Sequence, residues 1–456
     1  MGGGLELDGI RGTRGVAKFV LPSILMMVSI SAYVMVDGAI ISNLKGSDAL
    51  AACNLAMPVF SLFTALGYML ASGGSALVSK KMGEGKREEA DSNFTLIIVT
   101  GIVLALVLTL VCSLMMDSLV YALGSNDALF DTTYSYLLPY VFFAPVILTQ
   151  VSINQFFIVA GRAGTAFVVS LAAGISNIIL DLLFMGAMGM GVEGAAYASG
   201  ISSLIPCVVG LYVFTSRKRS TLIFRRPTWS AAVIGKTCSN GASEMVSELS
   251  GVVSTLAFNL VMMHYVGVDG VAAITIIMYV QFLALAVILG YSIGIAPVMS
   301  YQYGKGDREA MAEIYRISMR FCLIFSVSVF LLMEAFGGFV VSAFEAGNDN
   351  LHDIAMHGVR IHSFAYLFMG TNLYASSLFT SLSNGKLSAL IAALRALILL
   401  VPLVILLPMV LGVDGVWLAI PITELTVVIL SVYLLYSNEQ KYGYGRLVHR
   451  LHTDEA

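Results

Sequence analysis

Carboxylates lie inside stretches that are otherwise almost wholly apolar, and five of them are Asp37, Asp181, Glu244, Glu248 and Glu424. An ionised carboxylate held at mid-bilayer depth costs ~2.5–3.5 kcal/mol or more, and such a residue usually faces a cavity, a partner or a pathway. Spacing adds to the signal. Asn177 and Asp181 are four residues apart, as are Glu244 and Glu248, so on a helix each pair shares a face. Two carboxylates brought together in a shielded site resist joint ionisation; they share a proton or admit a hard cation, with neutral oxygens such as that of Asn177 completing the shell. Asp37 precedes Gly38, which lets another chain segment approach it. Each residue also has a structural reading. Asp37 could accept a hydrogen bond near an interface, Asn177 and Asp181 could satisfy backbone in a kinked helix, and Glu244 and Glu248 could be wetted at a helix end. Glu424 stands near Pro421, where a bend frees backbone donors, and its structural reading is at least as good as a functional one.

Enzyme chemistry finds no such footing. No Ser/His/Asp set can be placed, and Gly83-Glu84-Gly85 lacks the Walker spacing. Cys53, Cys112, Cys207, Cys238 and Cys322 are scattered without disulfide or metal spacing and read as small apolar residues.

The elements that position the carboxylates follow from composition. The chain has 456 residues, 58% apolar and only 12% charged, against roughly 25% charged in soluble domains. Crossing ~30 Å of hydrocarbon takes ~20 mostly apolar residues. Twelve such stretches are present, roughly 16–43, 50–79, 93–116, 133–159, 166–188, 193–215, 237–264, 270–301, 316–341, 356–382, 387–411 and 414–437. The first runs on past Val36 as a full span, too long for a cleavable leader. The net charge of −3 gives no reason to expect a nucleic-acid partner. The expected class is an all-α integral membrane protein of twelve helices.

The chain also nearly repeats itself at an offset of 221 residues. Gly46 falls on Gly267, Met57 on Met278, Gly73 on Gly294, Gly83 on Gly304, Gly85 on Gly306, Arg87 on Arg308 and Glu88 on Glu309. The same offset returns later, where Gly191-Val192-Glu193-Gly194 falls on Gly412-Val413-Asp414-Gly415. Apolar helices align by accident; loop glycines and charges at one offset do not. The expected domains are an N-lobe, residues 1–221, and a C-lobe, residues 222–456, around a shared path, as in many secondary transporters. None of the five carboxylates has an acidic counterpart at this offset, so a functional site is not duplicated.

Basic residues set the orientation. Arg11, Arg14 and Lys18 precede the first span. Lys80, Lys81, Lys86 and Arg87, then Arg162, Arg217–Arg226, Lys305 and Arg308, Lys386, and Lys441, Arg446 and Arg450 fill alternate gaps and the C-terminal tail. The other gaps carry acids, among them Asp48, Asp117, Asp127, Glu193, Asp269, Glu345 and Asp414, with Lys45 and Arg360 as exceptions. Both termini are therefore expected in the cytoplasm of a plasma-membrane protein. Six spans per half make the repeat a parallel one, its pseudo-two-fold along the membrane normal.

Gly-x-Gly-x-Arg-Glu after the second and eighth spans, Asp37 in the first, Asn177…Asp181 in the fifth and Gly-Val-Glu/Asp-Gly before the sixth and twelfth resemble the multidrug and toxic compound extrusion family over essentially the whole chain. The resemblance implies a transporter rather than an enzyme, with no cofactor. It implies export of organic cations by alternating access, coupled as an antiporter to H⁺ or Na⁺ influx, by a monomer in the lipid bilayer. It places the coupling cation, Na⁺ included, at Asp37, Asn177 and Asp181, with Ser199 and Asn154 as further oxygen ligands. It makes Glu244 and Glu248 a second acidic site in the C-lobe. The tenth helix, around His362–Tyr374, has no carboxylate, which departs from the branch whose Na⁺ site needs one there. A flippase for lipid-linked or polysaccharide precursors, from the same wider superfamily, is the alternative. Such cargo calls for basic residues in the cavity, and Arg395 is the principal intramembrane cation here.

Overall fold

The computed structural model describes residues 7–342 and 349–445; Glu345, Arg446 and Arg450 lie outside them, as does the side chain of Asp48. Among the described residues the chain is helical, without strands. The first six spans are α1 (Gly12–Lys45), α2 (Ser47–Gly83), α3 (Arg87–Leu114), α4 (Phe130–Val159), α5 (Ala163–Ala187) and α6 (Glu193–Phe214). The second six are α7 (Ala231–Tyr265), α8 (Val268–Lys305), α9 (Arg308–Ser342), α10, α11 (Gly385–Leu411) and α12 (Val413–Tyr442). Eleven of them are long and apolar enough to span a membrane without interruption. The twelfth, α10, is broken: Asp349–His362 and Tyr366–Ser381 are joined by a tight turn at Ser363–Ala365. All twelve expected spans are present, and most helices outrun their apolar stretch by a few polar residues.

The helices form two six-helix lobes, α1–α6 and α7–α12. They meet through α1 against α8 and α2 against α7, with α2 and α8 crossing between them. The crossing obeys the sequence repeat. A methyl group added at Gly83 would lie 2.0 Å from the Tyr301 carbonyl oxygen, and one added at Gly304 would lie 2.1 Å from that of Lys80. Gly83 pairs with Gly304 and Lys80 with Tyr301 at the 221-residue offset, so each contact is the image of the other. The two Gly-x-Gly-x-Arg-Glu loops consequently sit together at one end of the molecule.

That end is closed. One apolar core takes Val16, Phe19 and Val20 of α1 and Met69 and Val78 of α2 together with Tyr291, Ile295 and Val298 of α8. Polar contacts tie it further: Arg11 pairs with Asp307 at 2.5 Å, and the Gly12 amide donates to Glu313 Oε1 at 3.1 Å. The linker between lobes clings to α3, where buried Asp91 takes Arg217 and the Ile223 amide, and Ser92 Oγ takes the Thr228 amide. At the other end the cores are separate. Phe258, Ile277, Tyr366 and Trp417 belong to a core of the C-lobe alone, and Phe63, Val120 and Leu137 to one of the N-lobe alone. The molecule is thus joined where the described residues begin and end, and divided opposite.

Since a side chain at either glycine meets backbone, not a flexible tip, the joined end tolerates none. Gly83→Ala or Gly304→Ala is expected to destabilise the protein by about 1–3 kcal/mol, as overpacking does. Gly251→Ala, with open space around it, is expected to leave the thermal unfolding midpoint in detergent unchanged. Equal midpoints for all three variants would contradict the crossing.

Candidate functional site

α1 and α5 both run outward from the closed end, and their far halves carry the acidic pair. Asp181 is fully buried at the point where α5 loosens into a π-helical stretch, Leu182–Ala187. Such widened turns recur at functional sites because they re-aim side chains. Asp37 is half-buried on α1, and its carboxyl comes within interaction range of that of Asp181. Asn177, one turn before Asp181, is buried and donates through Nδ2 to Ser199 Oγ of α6 at 3.3 Å. Asn154 on α4 is buried too, but it is not brought to this cluster: Ile153 beside it packs on Gly210, eleven residues along α6 from Ser199 and so about 16 Å away along that helix.

What distinguishes this cluster is unmet demand. Asp37 Oδ1, both carboxyl oxygens of Asp181 and Asn177 Oδ1 are buried without a hydrogen-bond donor among the described residues. Buried polar atoms are normally paired. Acceptors facing one another cannot satisfy each other until something positive arrives, either a proton or a hard cation. The donor set is carboxylate and amide oxygen, as Na⁺ accepts; among the described residues no three His, Cys, Asp or Glu side chains gather as a transition-metal site would require.

The second acidic pair sits deeper than its sequence implies. α7 begins at Ala231, ahead of the apolar stretch from 237, so Glu244 lies about 20 Å along the helix, not near its end. Glu248 is mid-helix and accepts a hydrogen bond from Thr64 Oγ1 of α2 at 3.2 Å, across the lobe boundary. Glu244 stands within electrostatic range of both Glu248 and Arg395. Tyrosines link the two acidic pairs. Tyr33 is near Asp37, Tyr68 lies within range of Tyr33, Glu244 and Glu248, and Tyr140 is within range of Tyr136, Tyr33 and Glu248.

Several polar residues of this region escape a reading by charge count alone. Thr64 and the four tyrosines carry no formal charge, and their helical periodicity is that of ordinary core residues. Glu334 on α9, which does carry one, accepts from Ser363 Oγ at 2.6 Å at the break in α10, and His362 beside it meets Gln281 at 2.7 Å. The Ser-Phe-Ala interruption that creates this contact has no glycine or proline to announce it.

The halves of the chain match one family model in turn: the model described as MatE fits residues 22–183 and again 245–406. Among curated relatives, an FAD transporter of Shewanella oneidensis is 23% identical over 92% of this chain and 94% of its own length. The multidrug export protein MepA of Staphylococcus haemolyticus is 23% identical over 93% of each. Among solved structures, a MATE protein in complex with MaL6 superimposes with a TM-score of 0.90 at 21% identity, covering 96% of this chain and 98% of that one. An outward-facing MATE family transporter of the MOP superfamily gives 0.90 at 21%, covering 97% and 99%. The structural likeness carries the fold, and the family model, matching both halves, carries the kinship. A repeated six-helix unit, paired carboxylates in each lobe and this double match have one common reading: the chain belongs to the MatE family of multi-pass membrane transporters.

Proposed function

We propose that this protein exports organic cations by alternating access, driven by H⁺ or Na⁺ moving inward. The observation that carries the reading is the Asp37–Asp181 pair, three of whose four carboxyl oxygens are buried without a donor among the described residues, in a molecule whose lobes have separate cores at one end. A proton or Na⁺ at this pair relieves the repulsion between the carboxylates, with Asn177 and Ser199 as the neutral oxygens nearby. Glu244 and Glu248, which border the interlobe boundary, supply the counter-charge for cargo. The ion drives the cycle only through its different affinity for the two lobe arrangements. Both termini are placed in the cytoplasm of the plasma membrane, which makes the arrangement outward-facing. The lobes divide at 221/222, and one chain suffices as a monomer. A relative named as an FAD transporter raises anionic cargo as a second reading, as does a precursor flippase. The carboxylates at the interlobe boundary favour the cation, since Arg395 is already paired with Glu424.

The test is efflux of a fluorescent organic cation from liposomes under imposed H⁺ or Na⁺ gradients. Asp37→Asn is expected to abolish gradient-driven efflux while the protein still folds and inserts. Retention of full coupled transport would exclude the pair from coupling.

A second measurement addresses the C-lobe. The Glu244→Gln, Glu248→Gln double variant is expected to weaken cation binding about tenfold or more, the effect of about 1.4 kcal/mol of lost attraction. Wild-type export rates for every tested cation would remove this site from the mechanism.

A further inference from the structure

The exporter reading leaves one charged pair without a role. Arg395 on α11 donates through Nε to Glu424 Oε1 of α12 at 2.5 Å. The pair is deeply placed, with side-chain exposures of 14% and 3%. Glu424 is held on its other side by Asn372 of α10, whose Nδ2 donates to Oε2 at 2.7 Å and to the backbone oxygen at 2.9 Å. Ser431 Oγ in turn fixes Asn372 by donating to its Oδ1 at 2.9 Å. Both oxygens of Glu424 are therefore committed, whereas Arg395 has spent one of five guanidinium donors.

The fold has made room for this arginine. At the 221-residue offset Arg395 corresponds to Gly174 and Ser254 to Tyr33. In the N-lobe the bulk is on α1: a methyl group at Gly174 would meet the Tyr33 ring at 2.7 Å. In the C-lobe the bulk has moved to the opposite helix. Small Ser254 of α7 faces α11 and donates to the Ala396 carbonyl at 2.9 Å, while α11 widens into a π turn over Leu394–Ile398. A large residue and a small one have exchanged sides, and the turn carrying the arginine is stapled to the helix that bears Glu244. Glu244 of α7 lies within range of Glu248 on the same helix and of Arg395 on α11, and Arg395 is paired with Glu424 of α12.

We propose that Arg395 is a tethered counter-ion for the C-lobe acidic site: held back by Glu424, it sets how much negative charge Glu244 and Glu248 offer, and so selects monovalent organic cations. Arg395 thus acts as a specificity-determining positioning residue, through Glu244 rather than by touching cargo. Its restraint by Glu424 is what keeps the site open. A guanidinium released from Glu424 has Glu244 within electrostatic range, and it would fill the place that cargo needs. This inference rests on the exporter reading for the sign of the cargo.

The experiment measures binding of tetraphenylphosphonium, a monovalent organic cation, and of a bis-quaternary dication to purified protein in detergent. Glu424→Gln frees Arg395 and is expected to weaken tetraphenylphosphonium binding about tenfold, the scale of one unit charge at intermediate dielectric. Arg395→Gln combined with Glu424→Gln removes both charges without stranding either, and is expected to bind tetraphenylphosphonium several-fold more tightly than wild type and the dication more tightly still. A purely structural ion pair would lower thermal stability in both variants and move affinity in neither. Unchanged affinities, or changes in the same direction, overturn the proposal; if Glu424→Gln does not fold, the double variant decides alone. Wild-type protein that binds neither cation overturns the exporter reading and this proposal together.

Discussion

Charge placed in hydrocarbon must be answered, and the structure answers each intramembrane carboxylate differently. Glu424 is answered on both oxygens, by a guanidinium and an amide. Separating such a buried pair costs about 3–5 kcal/mol, because one charge is left stranded. Glu248 is answered by a single neutral hydroxyl from the other lobe. Asp37 and Asp181 are answered only by each other, which is no answer until a positive charge arrives. The gradation from satisfied to unsatisfied runs from the C-lobe interior, through the interlobe boundary, to the far half of the N-lobe. It orders these residues by how readily their partners can change.

The duplication supplies the frame in which that gradation matters. A helix crossing with backbone contact at Gly83 and Gly304 makes a close, symmetric joint at one end. Closeness of this kind comes from having no side chain, so the joint can separate and re-form without repacking long rotamers. The flanking cores do not cross to the other lobe at the divided end. Each lobe can therefore move as a body, which interfaces of packed helices allow more readily than continuous bending. Thr64 and Glu248 lie at the inner limit of the division, so their hydrogen bond reports the lobe arrangement directly.

Much of this was legible in the chain, for identifiable reasons. Loop glycines and charges at a constant offset exposed the repeat because loops escape the degeneracy of apolar helices. Asp37, Asp181, Glu244 and Glu248 stood out because charge is rare in spans. Their partners did not stand out. Thr64 is one hydroxyl among many and bonds across 184 residues. The tyrosines between the acidic pairs read as core. The Arg395–Glu424 pair joins neighbouring helices of the C-lobe, and a proline near Glu424 offered an equally good local explanation for it. Glu334 lay in a span read as apolar, and its contact depends on a break in α10 made by ordinary residues. Helix ends also exceeded the apolar stretches, which moved Glu244 from a helix terminus to its interior.

The exchange of bulk between Tyr33 and Gly174 on one side, and Ser254 and Arg395 on the other, shows how two copies of one fold can take different work. Both lobes keep the helix pair and the space between it. In the N-lobe that space is filled by an aromatic ring in range of Asp37. A shielded pair responds strongly to a small ion, since little solvent competes with it. In the C-lobe the same space holds a cation locked to its own carboxylate. A locked pair contributes a constant field and no net charge, so it can bias a neighbouring acid. One substitution of bulk on each helix separates the two lobes: the one with the ring holds a carboxyl pair with buried oxygens that lack donors, and the one with the arginine holds an ion pair.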